Sequence, residues 1–553
     1  MLQFNNSSSL FYVSIITGLF ILSLILTPDI SVFPSEKSNE AFAVVSGEQS
    51  KQSQIFVESS DYNGLSDTDR IDRAVEDAIE SNSKLIFGDR SYNYKGSKYI
   101  SNVVHWVGTQ EEKYNTEKST IHISGRWTFA GEGGSIIRGI AINGNRSFTG
   151  DVVRIHSRVK RIEFNRTHLM GALHQKGTDA AIVLNVDGNA GEVIFNNGTI
   201  SDAHSTAPIE LTSNDGGWRY WPSIRGFNAS SGFDGYLEMK DVEIFDIGHE
   251  VAYENGDKVW EHPNKGTLNP GGWDIDAWQR SGNEGTGLTV MENVRFYSIP
   301  GSYMKVSQHG GTMHFKNLNL HVREREPVAG RLIRFQSHGS GFQRNGSMTG
   351  TKIRVDRSVD MTYLGGGSAL HMLISFSANR QEETFHVKDT VIEIGLNEEN
   401  PIYLDDQGIF GYHRTPSSKH GLIIENTIVH VPGGIEWFFR NSTNARDSKT
   451  NALNNPNEVT FKNNTDIKKV RRFYYANPYS SSCKEKCEVY TAHVIRLEGQ
   501  NTMYNLDGKL VEVHSEVSPS AIWRSDSGAF SDCSCEENID EMYQFIFPEN
   551  SEN

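Results

Sequence analysis

The sequence predicts an all-β chain: a right-handed parallel β-helix, or β-solenoid, with an N-terminal helical cap and a cysteine-containing C-terminal cap. Three observations carry that expectation. A short phrase recurs: two apolar residues one apart, a polar pair usually holding Asn or Asp, then apolar residues again. A second strand-like segment falls between successive copies. No convincing amphipathic helix fills the gaps, so helical repeat arrays fit poorly and stacked coils fit best.

At the N-terminus, residues 10–26 form an apolar run, which at about 17 residues is marginal for crossing a bilayer. Downstream, Ala41-Phe42-Ala43 is a small-x-small pattern suited to cleavage before Val44. Residues 1–43 are therefore expected to be a signal peptide or a membrane anchor, and either places the body outside the cytoplasm. Residues 44–54 read as a linker, 55–470 as the coils with their cap, and 471–553 as a C-terminal cap with an acidic tail.

Composition agrees with many short strands: 51 Gly stand against 15 Pro in 553 residues. The formal charge is −16 and no long basic run appears. That excludes a nucleic-acid partner, because phosphate backbones need clustered Lys and Arg. A polysaccharide partner fits, either neutral or anionic and held through cations.

The recurring phrase reads Ile162-Glu-Phe-Asn-Arg-Thr-His-Leu169, Val193-Ile-Phe-Asn-Asn-Gly-Thr-Ile200 and Leu237-Glu-Met-Lys-Asp-Val-Glu-Ile244, and it returns as Met313-His-Phe-Lys-Asn-Leu-Asn-Leu320 and Leu422-Ile-Ile-Glu-Asn-Thr-Ile428. Period-two alternation is a strand signal. Asn and Asp in the polar pair tolerate the left-handed backbone of a tight bend. The intervening strand reads Val153-Arg-Ile-His156, Ile182-Val-Leu-Asn185, Ile209-Glu-Leu-Thr212, Trp273-Asp-Ile-Asp276, Met304-Lys-Val-Ser307 and Ile333-Arg-Phe-Gln336. Most repeats run about 25 to 40 residues, with one near 64.

Ahead of the coils, Asp67 or Thr68 is positioned to cap a helix on which Ile71, Val75, Ala78 and Ile79 share one face. The stretch from Ser60 through that helix to Lys84-Leu-Ile-Phe87 and Tyr92 resembles the N-terminal cap of the pectate-lyase-like superfamily. The resemblance, which covers roughly residues 55 to 470, implies the parallel β-helix and leaves activity open. That fold hosts lyases, hydrolases, epimerases, adhesins and phage tailspikes.

Neighbouring strand residues point to opposite faces. In the intervening strands, one alternating set is apolar and faces the core. The other set carries Glu210, Asp274 with Asp276, Lys305 and Arg334 on successive coils, about 4.8 Å apart per rung. His309 and His338 follow two of these strands in Ser307-Gln-His-Gly310 and Gln336-Ser-His-Gly339. Two long loops bring Trp218, Tyr220, Trp221 and Trp260, and Trp278 follows the Asp pair. Aromatic faces stack on sugar rings.

Three readings follow. In a lyase, Glu210, Asp274 and Asp276 hold Ca²⁺, a hard cation that wants oxygens, and Lys305 abstracts the proton α to a uronate carboxylate. Arg334 at about 5 Å repels the protonated lysine by roughly 3 kcal/mol at an effective dielectric near 20, while Asp274 pulls the other way. The set resembles the chondroitinase-B and alginate-lyase type, which implies an acidic pair, a Lys and an Arg with calcium on a β-helix. In a hydrolase, Asp274 and Asp276 share acid–base work, with Glu210 as a third candidate and His309 nearby. In the third reading these side chains form a solvated face that stabilises stacking, and the protein binds glycans or serves as an adhesin without catalysis. Asp179, Asp202 and Asp246 read as turn or surface residues.

The four cysteines, Cys483, Cys487, Cys533 and Cys535, all fall late. With an export segment they read as two disulfides between the early and late pairs; the alternative is a four-thiolate zinc site. Beyond the export segment, glycosylation sequons occur at Asn145, Asn165, Asn197, Asn228, Asn345, Asn441 and Asn463. Asn165, Asn197 and Asn463 lie in or beside the recurring bend, which explains them structurally.

Overall fold

The computed structural model describes residues 53–174, 180–205, 223–229, 235–248, 253–254, 257–258, 271–276, 287–299, 302–307, 312–323, 332–336, 346–361, 371–377, 384–413, 421–444, 457–479, 488–513 and 521–526. The apolar run of residues 10–26 and the four cysteines lie outside them. No helix among the described residues is long and apolar enough to cross a membrane.

Each coil contributes one strand to each of three parallel sheets. Sheet A begins with Gln54–Phe56, Lys84–Ile86, His105–Val107, Gly134–Arg138 and Arg161–Asn165. Sheet B begins with Ser91–Tyr94, Thr120–Ile123, Ala141–Asn143 and His168–His174. Sheet C runs Lys98–Ile100, Trp127–Phe129, Val153–Ile155, Ala180–Val186, Ser223–Ala229, Gly271–Asp276, Ser302–Ser307, Ile333–Gln336, His371–Ser377 and Leu404–His413. Long strands turn corners: Glu192–Ser205 and Tyr236–Ile247 serve A and B, and Ile428–Asn444 and Asp466–Tyr479 serve B and C. The chain is a parallel β-helix.

The corner between A and B is the bend foreseen from the polar pair. Arg166, Asn197, Asp241, Asn293, Asn317, Asp389, Asn426 and Asn463 all take φ between 50° and 57°, and Gly350 takes 66°. A short polar side chain tolerates that conformation and bonds its neighbour. Asn293 donates to Asp241 at 2.8 Å, Asn317 to Asn293 at 3.0 Å and Asn426 to Asp389 at 2.6 Å. The sequon residues Asn197 and Asn463 are themselves left-handed corner residues, and Asn165 ends the strand before one.

The core is stacked side chains. In sheet C, Val153, Leu184, Phe227, Met304 and Ile333 are fully buried, each in register with the next coil's inward residue. Rings stack along the axis, with Phe335 on Phe376 at 5.2 Å and Phe439 on Tyr474 at 5.5 Å. The outer face of sheet A carries alternating charges. Lys240, Glu292 and Lys316 stand on successive rungs, with ion pairs of 3.7 and 2.9 Å.

One expectation is corrected. Ser223–Ala229 pairs with Ala180–Val186 on one side and Gly271–Asp276 on the other. The single rung between Ala180–Val186 and Gly271–Asp276 is therefore residues 223–229, not 209–212, the uneven interval near 64 residues disappears, and Asn228, not Glu210, adjoins Asp274. Phe227 and Ala229 fill the core at this rung.

The N-terminal helix α1, Asp67–Glu80, buries Ile71, Ala74, Val75 and Ala78. Its N-cap is Ser66, whose hydroxyl accepts from the Asp69 amide, rather than Asp67 or Thr68. Asp67 instead accepts from the Asn93 amide at 2.8 Å and pairs with Arg90 at 2.7 Å, tying the cap to the first coil. At the other end, parallel pairing continues past residue 470 through Glu488–Glu498. Ala521–Asp526 and Leu510–Glu512 then pair antiparallel, which covers an otherwise open ladder edge.

Several histidines tie the fold to pH. Burial lowers the pKa of His105, His122, His168 and His314 below 6.5. His168 is fully buried, with Nε2–H donating to the Glu111 carbonyl and Nδ1 accepting from the Thr199 hydroxyl, both at 2.9 Å. A group held neutral in the fold contributes its full stability above its unfolded pKa, and that contribution is lost as pH falls from there toward the folded value. Tm should therefore fall as pH is lowered from about 7.5 to 5.5, and His168→Gln should flatten part of the slope. A pH-independent Tm over this range would rule the histidines out as the source.

Candidate functional site

Sheet C aligns one column of residues by register. Arg154, Asn185, Asn228, Asp274, Lys305, Arg334, Ser375, Gly411 and Arg440 are Cα partners rung by rung. Asp274, Lys305 and Arg334 thus occupy three consecutive rungs, in the order expected from the sequence. Asp276 partners Ser307, then Gln336. Glu210, His309, His338, Trp218, Tyr220, Trp221, Trp260 and Trp278 lie outside the described residues.

Below Asp274 the column is a hydrogen-bonded amide chain. Asn228 donates to Asn185 Oδ1 at 2.9 Å, and Asn185 donates to Asp151 Oδ2 at 2.9 Å. Burial pushes the Asp151 carboxyl up. Above Arg334 the column returns to packing: Ser375 is fully buried, and Arg440 is buried against Trp437 at 4.3 Å with an ion pair to Asp406 at 3.1 Å. Among the described residues, no group of three or more His, Cys, Asp or Glu is placed to hold a metal.

Sheet B carries a second feature that the sequence reading passed over. A cleft of about 390 Å³ is lined by Tyr114, Arg146, Met170, Thr199 and Ser201, and by Asp202, His204, Phe245 and Asp246. Asp202 and Asp246 are aligned on adjacent rungs, because Ser201 partners Phe245 and Ala203 partners Ile247. Both take left-handed backbone, φ 63° and 54°, in a short second column with Gly171 at 87° and Ser298 at 54°. Asp202 lies 2.6 Å from Arg146 Nη2 and 2.6 Å from His204 Nε2. Burial raises its pKa, and those two partners more than offset it, leaving the carboxyl below the usual range. Phe245 stacks on Tyr297, centroids 4.9 Å apart and planes 6° apart, and Arg323 caps Tyr297 at 4.3 Å. Tyr297 donates to Glu243 at 2.8 Å.

Asp202 and Asp246 had read as turn residues, and their backbone does turn. The overlooked signal was a repeated ending after the bend, Ile200-Ser-Asp-Ala203 and Ile244-Phe-Asp-Ile247.

No family model and no curated protein matches this chain. Among solved structures it is similar to the Agl-KA catalytic domain, at 11% identity and TM-score 0.37, covering 78% of this chain and 68% of that one. It is also similar to full-length tailspike protein 2 (TSP2, ORF211) from Escherichia coli O157:H7 bacteriophage CAB120. There the identity is 10% and the TM-score 0.24, covering 85% of this chain and 46% of the tailspike.

Proposed function

We propose that this chain is a polysaccharide-active, exported β-helix protein that cleaves a uronate-containing glycan by β-elimination on the outer face of sheet C. One observation carries the reading: Asp274, Lys305 and Arg334 stand on consecutive rungs. On sheet A, outward charges alternate in sign, as a solvated stacking face should. On sheet C, two cationic residue types adjoin, which a merely structural face would avoid.

In this mechanism the Lys305 amine takes the proton from C5 of the uronate. The electron pair forms the C4=C5 double bond as the C4–O4 bond breaks, the O4 leaving group takes a proton from water, and the protonated lysine returns its own to solvent. Arg334 faces the substrate carboxylate and favours the neutral lysine. Asp274 and Asp276, two apart on one strand, and the Asn228 amide on the next rung are hard oxygen donors of the kind Ca²⁺ takes. Calcium held there would neutralise the substrate carboxylate.

The test is a panel of uronic-acid polymers, with and without calcium, read by the ultraviolet absorbance of unsaturated products. Appearance of that absorbance supports the reading. Reducing ends without it would replace the lyase by a hydrolase, and silence across the panel would replace it by a non-catalytic glycan binder.

A further inference from the structure

The cleft on sheet B has a stacking order with one member absent. Along one outward column, Met170, Ser201, Phe245 and Tyr297 follow rung by rung. Tyr297 and Phe245 stack 4.9 Å apart and nearly parallel, the spacing of adjacent rungs, about 4.8 Å. A third ring at the same spacing falls at the Ser201 rung. Ser201, itself buried, is too small to fill that position, and it lines the cleft. Met170, one rung further, lines the far side.

The surroundings say what kind of ring. Asp202 and Asp246 flank the position from adjacent rungs, and a carboxylate accepts two hydroxyl hydrogens at once. Arg146 pairs with Asp202 at 2.6 Å, and Asp246 adds a second carboxylate to the lining, which disfavours an anionic ligand. The volume, about 390 Å³, lies at the small end of ligand pockets, roughly 300–1,000 Å³.

We infer that this cleft is a second carbohydrate site, which takes a single uncharged pyranose ring stacked on Phe245 at the Ser201 rung, its hydroxyls bonded by Asp202 and Asp246. The inference does not rest on the lyase reading: this site lies on another sheet and its chemistry selects against uronates.

The experiment uses the full chain and methyl glycosides of glucose, galactose, mannose and fucose, with methyl glucuronide as the charged counterpart. Binding is read by saturation-transfer NMR and titration calorimetry. At least one neutral glycoside should bind, and the glucuronide should bind at least about tenfold more weakly. Ser201→Phe, which puts a protein ring in the slot, and Phe245→Ala, which removes the platform, should each weaken binding about tenfold. A Tm within a few degrees of the parent shows that either variant is folded; should Phe245→Ala unfold, Ser201→Phe decides. No neutral glycoside binding, binding unaffected by Ser201→Phe, or glucuronide binding as tight as the neutral sugars would each overturn the proposal. Because the readout is binding without cleavage, a silent uronate panel leaves a positive result here standing.

Discussion

Replacing Lys305 by Ala should reduce the rate of unsaturated-product formation by about 10²–10⁴-fold, the usual contribution of a positioned general base. Asp274→Asn should cost a comparable factor, because it removes charge on the neighbouring rung. Lys305→Arg should fail to rescue, since guanidinium does not give up its proton in this range. Arg334→Gln should shift the activity profile to higher pH, because the cation one rung away no longer favours the neutral amine. Thermal unfolding of each variant separates loss of chemistry from loss of fold. Full activity in both Lys305→Ala and Asp274→Asn would remove the sheet C assignment.

Trp127→Ala should destabilise the N-terminal coils by about 3–5 kcal/mol, the cost of truncating a large buried ring. Trp127 is fully buried, edge-on to Tyr94 at 5.1 Å and Trp106 at 5.5 Å. Its Nε1 has no hydrogen-bond partner, so Trp127→Phe keeps a ring, loses an unsatisfied donor and should cost far less. Urea unfolding followed by tryptophan fluorescence and circular dichroism measures both. Coils in a solenoid contact chiefly their neighbours, so the first transition should move most. A cost below about 1 kcal/mol for Trp127→Ala would mean that the cluster does not hold these coils.

Much of the fold was legible because its signals are local. Alternation set the strands, and Asn or Asp marked most of the left-handed residues at the corner between sheets A and B, as Asn317 and Asp389 do. The capping residue was misread by one or two positions, because Ser66, Asp67 and Thr68 all have capping side chains and only the entry angle decides. This rung was placed at 209–212 instead of 223–229 because Ser223-Ile-Arg-Gly-Phe-Asn-Ala229 breaks alternation: Arg225 is buried and Gly226 has no side chain to read.

The candidate sites divide the same way. The order Asp274, Lys305, Arg334 follows from the period of one coil, so it could be read by counting. The sheet B cleft joins residues from separate coils, such as Arg146 and Asp202, 56 apart. Only register brings them together, and register depends on loop lengths that carry no pattern of their own.

The corner between sheets A and B accepts one left-handed residue whether 24 residues separate it from the next corner, as for Asn293 and Asn317, or 52, as for Asp241 and Asn293. Past the coil of His105–Val107, which spends residues 108–119 at this corner, nearly all variation in length is taken up at the other two edges of the prism. The molecule has a fixed spine and two permissive seams. Extra sequence spliced into a seam would change what the surface recognises while the vertical order of the rungs stayed as it was.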